Sequence, residues 1–179
     1  VSLGLDYKNF QESVTLQGAD ALNTPIDYYV FAAQFSGSRP TPARVLRYGA
    51  GVSFGVRGLD RDRVDCVGQP LDEFECKRHG ARANFAVLRA NLDWTGELFP
   101  AWYAFARLDG QASHAPLISN EQFSAGGADS VRGYTESQQL GDAGFTGTLE
   151  LRWSGLAARW PERVRELYFA LFADGAALR

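Results

Sequence analysis

Residues 120–134 read Asn120-Glu121-Gln122-Phe123-Ser124-Ala125-Gly126-Gly127-Ala128-Asp129-Ser130-Val131-Arg132-Gly133-Tyr134. The Gly126-Gly127 pair and Gly133 permit backbone angles that other residues avoid. Between them stands one cation, Arg132, flanked by the apolar Val131 and Tyr134. That arrangement describes a tight loop tip that delivers a guanidinium to a planar partner. A carboxylate is the natural partner, because its two oxygens match the guanidinium fork.

The chemistry so described is recognition, and catalytic patterns are missing around it. No Gly-Lys-Ser or Gly-Lys-Thr is present, so the glycines are not a phosphate-binding loop. Ser130 does not sit in a Gly-x-Ser-x-Gly elbow. His79 and His114 stand apart, with no His-Glu-x-x-His, and read as surface residues rather than metal ligands. No enzyme, cofactor or metal is implied. Cys66 and Cys76 lie close together in a polar stretch. Such a pair suits a disulfide in an oxidising compartment; two free thiols, or half of a metal site, are the other readings.

The loop must be carried by something, and the rest of the sequence reads as strands. Tyr48, Ala50, Val52, Phe54 and Val56 alternate with Gly49, Gly51, Ser53, Gly55 and Arg57. In a strand successive side chains point to opposite faces, so this is one apolar and one small-polar face. The same alternation occurs over residues 1–8, 28–36, 86–95, 102–111, 145–153 and 167–174. Seven strands result, most near the roughly 9–11 residues that cross a bilayer at a tilt. The polar face carries Asp6, Lys8, Arg57, Arg89, Asp93, Arg107, Asp109, Glu150, Arg152 and Asp174. Charges of both signs on one face fit a water-filled lumen.

Composition agrees with a folded chain outside the nucleic-acid-binding class. The 179 residues are 45% hydrophobic and 22% charged, with a net charge of -3 and no basic run. No apolar run approaches the roughly 20 residues of a membrane helix, so a membrane would be crossed by strands. Connections alternate in length. Longer segments, 11–24, 59–80 and 112–144, separate short turns at 37–43 and 96–100. One barrel end with tight periplasmic turns and one with extended surface loops gives that alternation. Residues 154–166 break it by being long where a short turn is due, and Pro161 marks a helical turn there. Seven strands cannot close a standard single-chain bacterial barrel, and the chain has no Met and starts at Val1. It is therefore read as a piece of a longer barrel.

The glycine-arginine loop closely resembles the two-partner secretion transporters, of the haemolysin-activator and filamentous-haemagglutinin-transporter type. They share a superfamily with the outer-membrane protein assembly factors. The resemblance runs from Gly110-Gln111 through Leu117, Glu121-Gln122-Phe123, Gly126-Gly127 and Ser130-Val131-Arg132-Gly133-Tyr134. It continues into Gly141-Asp142 and Leu149-Glu150-Leu151-Arg152. Leu3-Gly4-Leu5-Asp6-Tyr7 also looks like a strand of that barrel. The resemblance implies an all-β, antiparallel transmembrane barrel of sixteen strands, preceded by two periplasmic domains. It implies that the loop folds back into the lumen, where its Arg pairs with the Asp of a Phe-x-Asp-x-Gly motif. That motif falls on Phe172-Ala173-Asp174, with Ala176 where the family has Gly and Gly175 one place early. Arg132 to Asp174 is the implied pair, and Glu150 is a second carboxylate within reach.

The function implied is a pore in the bacterial outer membrane that moves an unfolded partner exoprotein, a haemolysin or adhesin, from periplasm to surface. Its partners are that exoprotein and outer-membrane lipid. Two other readings compete. One is an outer-membrane protein assembly and insertion factor, from which the Glu-Gln-Phe stretch separates it. The other is a soluble ligand-binding β-barrel, in which the alternation would be turned inside out.

Overall fold

The structure, a computed structural model, describes residues 1–10, 13–16, 19–23, 26–56, 63–66, 69–156 and 167–179. In chain order the elements are β1 (Ser2–Phe10), β2 (Ser13–Leu16), β3 (Ala19–Asn23), β4 (Ile26–Pro40), β5 (Arg44–Gly55), β6 (Val64–Cys66) and β7 (Gln69–Leu71). A short helix α1 (Glu73–Lys77) precedes β8 (Ala86–Phe99) and β9 (Trp102–Ser113). A 3-10 turn (Ser119–Glu121), β10 (Phe123–Ala125), β11 (Gln139–Gly141), β12 (Gly144–Trp153) and β13 (Phe169–Leu178) complete the described chain.

The seven alternating segments all become strands of one sheet, in the order β1-β4-β5-β8-β9-β12-β13. Each joins the next in the sequence of long strands, as in an up-and-down barrel, but the sheet does not close on itself. Pairing keeps like faces together. Leu3, Leu5 and Tyr7 stand opposite Ala33, Phe31 and Tyr29. Leu149, Leu151 and Trp153 stand opposite Ala173, Leu171 and Phe169, while Thr148 and Glu150 face Asp174 and Phe172.

Outside the apolar cluster that takes in Ile26, Tyr28, Val30 and Val87, burial along these strands is the reverse of a soluble protein's. Ser53, Gln111, Thr146 and Glu150 are buried, while Leu88, Leu92, Leu108, Phe145, Leu149 and Leu171 are exposed. A water-soluble barrel hides its apolar face and wets its polar one. A barrel in lipid does the opposite. Aromatic rings mark one rim of the apolar face. Phe99 and Trp102, Trp102 and Trp153, and Trp153 and Phe169 have ring centroids 5.7, 6.3 and 6.0 Å apart. Such a girdle belongs where the hydrocarbon meets headgroups.

Two expected turns are shorter than their glycines suggested. β4 runs on through Gly37 to Pro40, and β8 through Gly96 to Phe99. In both places glycine makes room for a neighbouring side chain. A Cβ at Gly37 would meet the Tyr48 ring at 2.7 Å, and one at Gly96 would meet Trp94 at 2.8 Å. The close packing of a ring over a strand glycine keeps the strand extended where composition alone reads as a turn. The helical turn expected near Pro161 lies outside the described residues.

The chain divides into two compact units. One holds Val1–Phe35, Gly51–Arg89 and Gln111–Gln122; the other holds Ser36–Ala50, Ala90–Gly110 and Phe123–Arg179. The first contains an apolar cluster of Ile26, Tyr28, Val30, Phe74, Ala81, Ala83, Phe85, Val87, Leu117 and Ile118. Within it the Tyr28 ring meets Phe74 edge-on at 5.2 Å. Phe74 reaches the cluster from α1, whose first turn is capped by the Asp72 carboxylate accepting from the Phe74 N–H at 2.9 Å. The Gly80 N–H donates to Glu75, and this bond foremost holds that carboxyl below its ordinary pKa. Cys66 and Cys76 form a disulfide that ties β6 to α1. Arg78 adds a hydrogen bond from Nη1 to the Leu117 carbonyl, 2.6 Å.

Closing a ring this small removes about 3 kcal/mol of unfolded-chain entropy. A Cys66→Ser, Cys76→Ser variant is therefore expected to keep its long strands while the segment between β5 and β8 becomes more protease-sensitive. Limited proteolysis of folded wild-type and variant protein checks this; equal cleavage rates in the segment would contradict it.

Candidate functional site

The site is built on the second unit, from a hairpin and two strands. β10 and β11 pair antiparallel, Phe123 opposite Gly141 and Ala125 opposite Gln139. The loop between them carries residues 126–138. Its entry needs glycine. Gly126 and Gly127 have φ of 115° and 105°. A Cβ on Gly126 would run into the Thr135 carbonyl, and one on Gly127 into the Glu136 carboxylate. Ser130 closes the turn upon itself. Its hydroxyl accepts from the Gly126 N–H at 3.0 Å and donates to the Gly126 carbonyl at 2.9 Å. Both ends of the hairpin touch β13.

At the tip, Arg132 is gripped on three sides. Its Nε and Nη2 donate to the two oxygens of Asp174 at 2.7 and 2.9 Å. Its backbone N–H donates to Asp174 Oδ2 at 3.1 Å. Nη1 donates to Glu150 Oε2 at 2.9 Å. The guanidinium carbon lies 3.5 Å from the Phe172 ring centroid, so the plane of the cation rests on an aromatic face. Strand register makes this possible. Thr148 pairs with Asp174 and Glu150 with Phe172, which puts the two carboxylates and the ring on one face of the β12–β13 pair. The Thr148 hydroxyl adds a 3.4 Å bond to the Ser130 carbonyl.

The electrostatics follow from the contacts. Hydrogen bonding to Asp174 foremost raises the Arg132 pKa further above its ordinary value, so the cation stays charged. The side chains of Glu150 and Asp174 are 7% and 4% exposed. An ion pair in open water contributes little, but removing the cation from shielded carboxylates leaves buried charge uncompensated. Glu150 is also bound by Arg152 Nε at 2.5 Å. The arrangement offers no nucleophile with a base beside it. What it can do is hold a loop in one place.

The other singled-out residues lie elsewhere. Val131 is partly buried and Tyr134 is 61% exposed. Gly133 turns the chain with φ of 91°. The Cys66–Cys76 disulfide belongs to the first unit. His79 is exposed beside Glu75, and His114 has Nδ1 3.5 Å from the Ala86 carbonyl. Sequence reasoning passed over Phe172, Ser130 and Thr148 as members of the site. Phe172 was named only as the first residue of the Phe-x-Asp-x-Gly motif, although its place two residues before Asp174 puts it on the same face. Ser130 was read only as part of the loop motif and Thr148 only as a strand residue; Ser130 bonds the Gly126 main chain, and Thr148 bonds both the Ser130 carbonyl and the Asp174 carboxylate.

Comparison with known proteins bears on the whole sheet. No curated protein matches the chain. The family model described as haemolysin secretion/activation protein ShlB/FhaC/HecB matches residues 6–175, from β1 into β13. That family consists of outer-membrane β-barrels that serve as the secretion/activation component of two-partner systems. Its fold accounts for a sheet with buried polar and exposed apolar faces, and a match of this extent means that the chain belongs to the haemolysin secretion/activation protein family ShlB/FhaC/HecB.

Proposed function

We propose that this chain forms one sector of an outer-membrane pore that passes an unfolded exoprotein of the haemolysin or adhesin kind from periplasm to cell surface. The apolar face of the sheet meets lipid and the polar face lines the lumen. The β10–β11 hairpin lies against that lumen wall and is held there by Arg132. The observation that carries the reading is the Arg132 clamp itself. One residue makes four hydrogen bonds to two shielded carboxylates on the polar face. A surface loop that only waved in solvent would have no use for such a grip. The family match supports export over insertion of other barrel proteins, because its description is of secretion and activation.

Transport in this account needs no covalent step. The polar wall supplies hydrogen-bonding groups to a passing chain, and the hairpin sets how much of the lumen is open. Holding the hairpin by an ion-pair fork rather than by a packed core makes the hold reversible, since charged groups can be re-solvated by lumen water.

Two outcomes test this. Arg132→Ala in the full-length transporter should lower secretion of its partner exoprotein by roughly tenfold, the scale of lost charge-assisted hydrogen bonds. Arg132→Lys should fail to restore it, because an ammonium cannot fork to Asp174 and reach Glu150 at once. Heat-modifiable migration of the barrel should be unchanged in both variants. Secretion by Arg132→Ala at the wild-type level overturns the proposal. Separately, Leu149→Arg places a cation on the lipid face and should cost roughly 2–4 kcal/mol of folding free energy near the midplane. Denaturant titration in lipid vesicles measures it, and a cost near zero would count against this face meeting lipid.

A further inference from the structure

Glu121 is 1% exposed, among the most buried side chains described, yet it is an acid. Its carboxylate is fully engaged. Oε1 accepts from Lys8 Nζ at 2.5 Å and from the Tyr28 hydroxyl at 2.7 Å. Oε2 accepts from Arg89 Nη2 at 3.3 Å. The main chain of the same residue is gripped as well. Its carbonyl accepts from Gln111 Nε2 at 3.0 Å and from Arg89 Nη2 at 3.2 Å. Arg89 is itself oriented, with Nε donating to Gln111 Oε1 at 2.8 Å and Nη1 to Ser53 Oγ at 3.1 Å. The contacts to Glu121 therefore come from β1, β4, β8 and β9, with β5 bracing Arg89.

A carboxylate so enclosed has nothing left to offer a passing polypeptide. Whatever it does, it does through the backbone it fixes. Leu117 and Ile118, just before it, are each 1% exposed, so the chain is anchored from 117 to 121. Two residues later β10 begins, and β10 is one leg of the hairpin that carries Arg132. The other leg, β11, runs directly into β12. The hairpin's own pairing is only three residues long on each side. So short a ribbon is marginal by itself. Its place depends on where its two legs are rooted and on the clamp at its tip.

We infer that Glu121 is a positioning residue: bound by residues of four strands, it roots the leading leg of the hairpin that carries Arg132. Buried charge is costly unless fully paired, and a site with this many partners has one geometry that satisfies it. An apolar residue at 121 could fill space, but it would not fix the register of the backbone against Lys8, Tyr28 and Arg89. The assignment rests on the export reading only for its consequence in secretion; the positioning is testable without it.

The test uses the full-length protein in outer membranes or detergent. Trypsin cleaves after Arg132 only when that residue leaves its carboxylates, and mass spectrometry of the peptide beginning at Gly133 reads the event. Cleavage after Arg107, within β9, reports general unfolding and serves as the reference. Glu121→Gln keeps the shape of the side chain and removes its charge. It should raise cleavage after Arg132 relative to Arg107 by about tenfold, the scale of a lost hydrogen bond to a charged group, and should lower secretion. Lys8→Gln removes one partner from the partly exposed side of the cluster. It should act in the same direction and carries the test if Glu121→Gln does not fold. An unchanged cleavage ratio in a folded variant overturns the inference. A raised ratio with full secretion upholds the positioning and counts against the export role of the loop.

Discussion

A guanidinium held flat on an aromatic ring, with carboxylates along two of its edges, organises the inner wall of this sheet. The geometry of Arg132 leaves little freedom. Its fork fits Asp174 only when β12 and β13 pair so that Thr148 faces Asp174. A slip of one residue would send Asp174 to the apolar face and the clamp would have no partner. The clamp and the strand register thus specify each other. The same register keeps Leu149, Leu151 and Phe169 together on the opposite, apolar face. Separation of faces by polarity and capture of the loop are two consequences of one alignment.

The two compact units hold their connecting segments differently. In the first unit the face of β4 that carries Gln34 turns apolar at Ile26, Tyr28 and Val30, and these pack with Phe74, Phe85, Leu117 and Ile118. There the connecting segments have folded into a small core of their own, closed by the Cys66–Cys76 disulfide. In the second unit the wall stays polar and holds the hairpin by charge. A core held by apolar burial resists water, whereas a clamp held by ions can exchange its partners for water. Anchoring and release are therefore assigned to different chemistries in different parts of the chain.

The strands were legible because a two-residue period survives in any strand with one wet face, whatever the loops do. Alternation at Tyr48–Val56 or Phe145–Trp153 needs no tertiary knowledge to read. Arg132, Asp174 and Glu150 could be proposed because a loop motif and a face assignment are both local patterns, completed by resemblance to a family. Other features were illegible for a physical reason. Gly37 and Gly96 look like turn residues until the Tyr48 and Trp94 rings that occupy the missing Cβ space are seen. Glu121 showed only as part of the Glu-Gln-Phe stretch of the family resemblance, and its partners did not show, because Lys8 and Tyr28 lie more than ninety positions away along the chain. The apolar turn of β4 contradicts the alternation rule locally, and only the folded segment packed against it explains why. Contacts made by chain segments far apart in sequence leave no periodic trace.

The central claim is that Arg132 and Asp174 act as one unit in export. A double-mutant cycle on partner secretion tests it most directly, with Arg132→Ala, Asp174→Ala and the pair measured in the full-length transporter at equal barrel abundance. If the two residues work only through each other, the double variant secretes no worse than the more impaired single variant. Losses that multiply in the double variant would show that the two act independently, and the clamp would then not be the element that export depends on.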